Sequence, residues 1–382
     1  MYAVASLSGG GVVCSSKRFG LELGALDVFG DKDCLNAAIH WIDIGKTKPG
    51  QHEIDDEKFI DSLLTLKILG FKGLIIGSGF EGNYIILRKA KEIMPLFANS
   101  IAIFEQLESP KFFFETLKSL KIPFPKIFIS SDHFSGKGTD WIIKDLRSSG
   151  GLGIRKLSAK KLKTSEYVQK KLSGTVISLS FFADGKNFHP VGFSELISKK
   201  QDHLPFVFCG LEGPIELDDG ICRDALRICK LLVNKFKLKG FNGIDLIVAD
   251  GTVYFLELNP RLTSSFEVLQ KSYDFCFIKE HIRLTNENSI NKCFLHNCLP
   301  NKNNLISGFR IIYAEEDFTV DERIQNKIFD PNFVQNIPNN KYFFKKYEPV
   351  CSVFLSGQNL LDLKAALDNK VNYLYSKLSQ LK

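Results

Sequence analysis

The sequence has no Cys-x-x-Cys pair, no Cys/His set at zinc spacing, and no run of the ~20 apolar residues that a membrane span needs. Cys293 and Cys298, the nearest approach to a ligand spacing, stand alone. A structural zinc module and a spanning helix are thereby excluded. Nine cysteines, an odd number, read as reduced thiols rather than a disulfide framework. An export start is also missing: MYAVASLSGGGVVC has no basic n-region, and Gly9, Gly10 and Gly11 break its apolar run. The expected location is cytoplasmic, without membrane attachment. There is no internal repeat and no strong charge of one sign. The balance of 50 Lys+Arg against 43 Asp+Glu gives +7, carried by scattered lysines. That suits a solvated surface attractive to anionic substrates, not a nucleic-acid partner.

What is present is ordinary globular usage, 44% hydrophobic over 382 residues, enough for two or three packed domains. The first hundred residues alternate strand and helix signals: Tyr2 to Leu7, a glycine turn, a helix near Arg18, Ala25 to Phe29, a helix over 56–69, and the buried strand of GLIIG at Gly73 to Gly77. Strand–helix–strand order predicts a parallel, Rossmann-like sheet. From about residue 105 the style changes, with Pro110, Pro123 and Pro125 around a helix at 112–121. Strands follow near 141–144, 176–182 and 188–193, then an amphipathic helix at 222–236 and a hairpin of 244–248 with 253–258. Past 285 the chain is Asn- and Lys-rich, with strands near 309–313 and 350–355 and a closing helix near 359–378.

The most specific string is FNGIDLIVADGTVYFLELNPRLTSS, residues 241–265. Glu257 and Asn259 are two apart on one strand and share a face, leaving Leu256 and Leu258 for the core. For Asp245 on the partner strand to join them, the loop must hold an odd number of residues. Three residues with Gly251 left-handed would do so. Two carboxylates and an amide oxygen form a hard-oxygen set for Mg²⁺ shared with phosphate. Arg261, just past the strand, could meet a phosphoryl or carboxylate oxygen.

A second string, Trp141 to Ile154, sends Lys144 out of a strand just before Ser148, Ser149, Gly150 and Gly151. An ammonium and free backbone N–H groups around one point make a phosphate nest, although no Gly-Lys-Ser/Thr follows as in a Walker A loop. A plain hairpin would explain this string equally well. Likewise Gly77-Ser78-Gly79-Phe80-Glu81, at the end of a parallel strand, reads as a ligand site or as a tight turn. Taken as a site, it puts Ser78, Gly79 and Glu81 beside the non-nucleotide substrate, with Glu195 and Arg261 as polar partners.

In this order the strings resemble the ATP-grasp superfamily. The resemblance implies an α/β chain with an N-terminal Rossmann-like domain (1–105), an ATP-grasp domain (106–285) with a small α+β lid (about 123–180), and a C-terminal β-rich extension (286–382). It implies ATP bound by Lys111, Lys144, the glycine loop and the hinge residues Gln169 and Lys170. Two Mg²⁺ ions, replaceable by Mn²⁺, would sit on Asp245, Glu257 and Asn259. The implied reaction activates a small-molecule carboxylate as an acyl phosphate for attack by an amine, with Arg261 and Lys144 as catalytic cations. A homo-oligomer is compatible with it.

One family feature is absent. The acid expected two residues past the hinge glycine is Val176, which keeps open a nucleotide-binding scaffold with little turnover. The barrel-like C-terminal third keeps open a carboxylase-like enzyme. The strings Ile76 to Glu81, Asn99-Ser100, Gly192 to Glu195 and Tyr347 to Cys351 further resemble bacterial ATP-grasp proteins associated with tetrahydromethanopterin-linked one-carbon metabolism. That likeness implies synthesis of a carrier of the tetrahydromethanopterin or methanofuran type, the latter with a tyrosine- or tyramine-plus-glutamate unit.

Overall fold

The computed structural model of the chain describes residues 1–46, 52–129, 140–157, 161–286 and 305–381. Cys293 and Cys298 lie outside them.

The N-terminal sheet is parallel, with strands β1 (Tyr2–Ala5), β2 (Leu23–Asp27), β3 (Trp41–Asp43), β4 (Leu74–Ile76) and β5 (Leu96–Phe97) in the order 3-2-1-4-5. The order reverses between β1 and β4, and the crevice at their carboxyl ends is where open α/β sheets bind ligands. Helices α1 (Gly10–Lys17), α2 (Lys32–Ala37), α3 (Asp56–Ile68), α4 (Tyr84–Ile93), α5 (Ile101–Leu107) and α6 (Pro110–Ser119) alternate with and follow these strands. Their ends are written locally. Asp55 accepts hydrogen bonds from the Glu57 and Lys58 amides to start α3, and Ser109 caps α6 ahead of Pro110 in its first turn.

A four-stranded antiparallel lid follows: β6 (Ile127–Phe128), β7 (Trp141–Asp145), β8 (Ile154–Lys156) and β9 (Glu166–Lys170). Next come β10 (Thr175–Asp184), β11 (Phe188–Gln201), β12 (Leu204–Ile215), α7 (Asp219–Phe236), β13 (Lys239–Ala249), β14 (Thr252–Asn259), α8 (Ser265–Gln270) and α9 (Phe277–Asn286). Past residue 304 lie β15 (Ile306–Tyr313), β16 (Phe318–Thr319), β17 (Val334–Gln335), β18 (Phe343–Phe344) and β19 (Pro349–Gly357). The extension does not stand apart. Strands β15, β19 and β17 continue the sheet of β14, β13, β10, β11 and β12, making eight strands in all. The closing helix, Leu360–Leu378, buries Leu363, Leu367 and Leu374 against that sheet.

Below the central strands, α7 turns Ala225, Ile228, Cys229, Leu232 and Val233 onto Ile177, Leu179 and Phe181. The N-terminal sheet is locked to this unit by buried polar bonds. Asn99 donates to the Asn242 side-chain oxygen at 2.7 Å and to the Pro260 carbonyl at 2.8 Å. His281 accepts from the Phe241 amide at 3.0 Å and donates to the Phe97 carbonyl at 2.9 Å. Burial pushes its pKa down to about 4 and holds the ring neutral for this bridge.

Candidate active site

The β13–β14 hairpin turns through two residues, not three. Asp250 and Gly251 both take left-handed φ, 48° and 71°, and Ala249 pairs with Thr252. That turn alone would set Asp245 opposite Leu256. The pairing instead slips from Leu246↔Phe255 to Asp245↔Glu257, leaving Leu256 as a bulge. The odd residue that brings the carboxylates to one face therefore sits in the ladder. Phe255 and Leu258 go into the core, while Leu256, expected there, lines the cleft with Glu257 and Asn259.

Around the two acids the structure gathers further polar groups. Asn259 donates its amide to Asp245 Oδ2 at 3.1 Å, and Ser178, opposite Asp245 on β10, bonds it as well. From the lid, Ile142 and Lys144 face the cleft while Ile143 between them is buried. Lys144 lies opposite Tyr167 on β9 and is hydrogen-bonded to its buried hydroxyl. Burial alone would lower the Lys144 pKa, but Tyr167, Glu257 and Asp245 outweigh it and the pKa is raised. Burial pushes Glu257 up to about 7 against the pull of Lys144, with Asp245 adding to the rise. Asp245 rises for the same first reason, opposed by Ser178, Arg261 and Lys144. Protein surrounds all three groups, yet each keeps contact with the cleft. Two acids are thus held together at depth, with Lys144 and Arg261 as the cations that act on both.

The cleft has a volume of about 560 Å³ and lies between the lid and β10–β14. Ser149, Gly150 and Gly151 line one end, and their amides donate to no acceptor among the described residues. The loop is docked rather than free. The Phe208 amide donates to the Gly150 carbonyl at 3.0 Å, and a Cβ on Gly151 would come within 1.7 Å of the Phe206 oxygen. At the other end Gln169 and Lys170 line the cleft, and the Gln169 side-chain oxygen is buried without a hydrogen-bond partner. Val176 lines the wall where the family's acid was expected. Ser148 is near the loop but off the lining, and Lys111 is exposed in the first turn of α6, away from it.

Arg261 stands at a junction. Its guanidinium is ion-paired to Glu81, whose other oxygen accepts from the Gly79 amide at 2.7 Å. It lines the nucleotide-sized cleft and also a smaller cavity at the β1/β4 crevice, where Ser78 forms part of the wall. Glu195 shares the larger cleft with Arg261 but has an ion-pair partner of its own, Lys364 of the closing helix, at 2.7 Å. Sequence reasoning missed Ser178, Asp31 and Glu267, and placed Tyr167 in the hinge without its bond to Lys144. Asp31 follows a parallel strand, a position that could have been searched; nothing local marks Glu267.

The architecture and these positions define an ATP-grasp fold. The family model described as "ATP-grasp domain" matches residues 110–265. Biotin carboxylase of Campylobacter jejuni, solved with βγ-ATP, superposes at a TM-score of 0.67 and 15% identity over 95% of this chain and 89% of that one. L-amino acid ligase of Bacillus licheniformis superposes at 0.66 and 14% over 97% and 96%. In sequence, a tyramine–L-glutamate ligase of Methanocaldococcus jannaschii is 30% identical over 100 residues, 26% of this chain and 30% of that protein. The chain spans under a third of the length of either curated relative it matches.

Proposed function

We propose that the chain is an ATP-dependent carboxylate–amine ligase that forms an amide through an acyl phosphate, releasing ADP and phosphate. The observation that carries this reading is the Asp245/Glu257/Asn259 face set beneath Lys144 in one cleft. The residues present suit ATP and Mg²⁺. Two raised-pKa carboxylates and an amide match a divalent ion shared with phosphate oxygens, and the orphaned Gln169 oxygen matches an amino donor on a purine edge. Asp245, Glu257 and Asn259 would hold the metal; Lys144 and the Ser149–Gly151 amides would hold phosphate. Mg²⁺ bound there would supply charge neutralisation at the terminal phosphates.

Lys144 keeps its proton, so it acts as a fixed positive charge on the transferring phosphoryl group. Arg261, fixed by Glu81 at the junction of the two cavities, orients the substrate carboxylate. The lid underside, with Ile142 and Ile154, excludes water from the acyl phosphate. The partial likeness to tyramine–L-glutamate ligase supports L-glutamate and tyramine as the first pair to assay, and a biosynthetic role toward a one-carbon carrier. The test is ADP formation by wild-type protein with Mg-ATP, each acid of a panel, and hydroxylamine as trap. An acid-dependent hydroxamate supports the reading, and its absence with every acid removes it.

A further inference from the structure

The smaller cavity, of about 280 Å³, sits at the β1/β4 crevice, and Arg261, Thr263 and Ser264 line both it and the nucleotide cleft. Its charge is one-sided. Asp31, just past β2, is 6% exposed and lines the cavity, and its carboxylate has no hydrogen-bond or ion-pair partner among the described residues. Glu267 enters from α8 so close to α1 that a Cβ on Gly11 would lie 2.2 Å from its Oε2. Gln335 hydrogen-bonds it, but no cation is within ion-pair distance among the described residues. Lys271, the cation that acts on Glu267, lies over the Phe354 ring at 5.5 Å, and Asp33 adds negative charge. Arg261, the one cation on the described wall, is taken by Glu81. Phe29, Phe208, Phe266, Phe309 and Tyr313 supply aromatic surface to the remaining walls, beside aliphatic residues and several serines.

Leaving two carboxylates in such a place without a cation is unfavourable. Burial pushes Glu267 up to about 7 and Asp31 well above the usual carboxylate range, with Asp27 and Asp33 adding to the latter. Glu267 has only the neutral Gln335 as a partner, and Asp31 has none among the described residues. Resting on the ligase reading above, the geometry points to this cavity as the amine subsite, which takes a small primary amine with an aromatic body, held as its ammonium by Asp31 and Glu267. The volume lies just below the range of about 300–1,000 Å³ usual for ligand cavities, which suits a small molecule. An amino acid fits less well, because its own carboxylate would face two acids, and Arg261, the one cation on the described wall, is given above to the carboxylate of the acid substrate.

Glu267 also gives the amine a route to its reactive form. The ammonium passes one proton to the Glu267 carboxylate, and the freed lone pair forms the bond to the acyl carbon. The carbon–oxygen bond to phosphate breaks with its electron pair on phosphate. The second N–H proton leaves with that phosphate, and Glu267 returns the first to solvent.

The experiment is calorimetric titration of wild type, Asp31→Asn and Glu267→Gln with tyramine and with 3-(4-hydroxyphenyl)propanoate, the same ring bearing an anion. Wild type should bind tyramine and not the propanoate, and each substitution should weaken tyramine by about tenfold or more. Unchanged tyramine affinity in both variants overturns the assignment, as does equal binding of the propanoate or no binding of tyramine to wild type. Should either variant fail to fold, the two ligands on wild type decide the matter alone. Binding needs no turnover. Tyramine bound without any hydroxamate in the trap assay therefore counts against the ligase reading only, and hydroxamate without charge-selective amine binding counts against this subsite only.

Discussion

Asp245 and Glu257 face each other across adjacent strands because Leu256 is left unpaired between Glu257 and Phe255. In a regular ladder Glu257 would point to the opposite face, toward α7 and the core. The bulge thus moves one carboxylate from the wrong side of the sheet to the right one and commits the hairpin to a charged pair in the cleft.

Glu257→Gln keeps the volume and removes the charge. Turnover should fall by about a hundredfold or more, since even groups that only orient a metal ligand are worth ~10–100-fold. The melting temperature should stay level or rise, because a carboxylate whose pKa burial raises to about 7 is destabilising when ionised. Steady-state kinetics and a thermal melt on the same preparation check both. Activity within a factor of two of wild type would remove the metal assignment.

The nucleotide-free protein should lose stability as the pH rises from 6.5 to about 8. The folded chain still holds protons at Glu257 and Glu267, both raised to about 7, that the unfolded chain released near 4.5. Stability therefore falls as pH climbs through the folded values. His281 works the other way, but its effect lies between about 4 and 6.5 and is complete above that window. Thermal melts across the window should show the fall in wild type and a flatter profile in the Glu257→Gln/Glu267→Gln double variant. An identical slope in both would refute the attribution.

Gly151→Ala should undock the phosphate loop. The new Cβ meets the Phe206 oxygen at 1.7 Å, and φ at +77° strains any side chain. The KM for ATP should rise by about tenfold or more, with little change in global melting, since the loop adds little to the core. Unchanged ATP kinetics would show that the docked loop is not needed to hold phosphate.

Much of this was legible in the sequence where the signal was local. The alternating start predicted the parallel sheet, and the 241–265 string predicted the hairpin with Asp245, Glu257 and Asn259 on one face. The turn was misread because Asp250-Gly251 and a downstream bulge give the same parity as a three-residue loop. No pattern in the chain separates the two. Strand β12 went unread, since Leu204 to Ile215 mixes apolar, Gly and Glu residues without alternation. Glu195 was assigned by its neighbours in the chain, whereas its partner Lys364 is 169 positions away. The small cavity was invisible for the same reason: Asp31, Arg261, Glu267 and Gln335 meet only in the folded chain.

The central claim is that reaction occurs at the γ-phosphoryl group, where Lys144, the glycine loop and the Asp245/Glu257/Asn259 face converge. Adenylation would place the reacting centre at the α-phosphate near the sugar, and Val176 lines the cleft at the position where the family's acid was expected. The direct measurement is chromatography of the nucleotide product during turnover, alongside the amide. The account predicts ADP and phosphate, each formed in step with the amide and with no AMP. AMP and pyrophosphate appearing in step with the amide would contradict it, and the roles given to Lys144, Glu257 and Asn259 would fall with it.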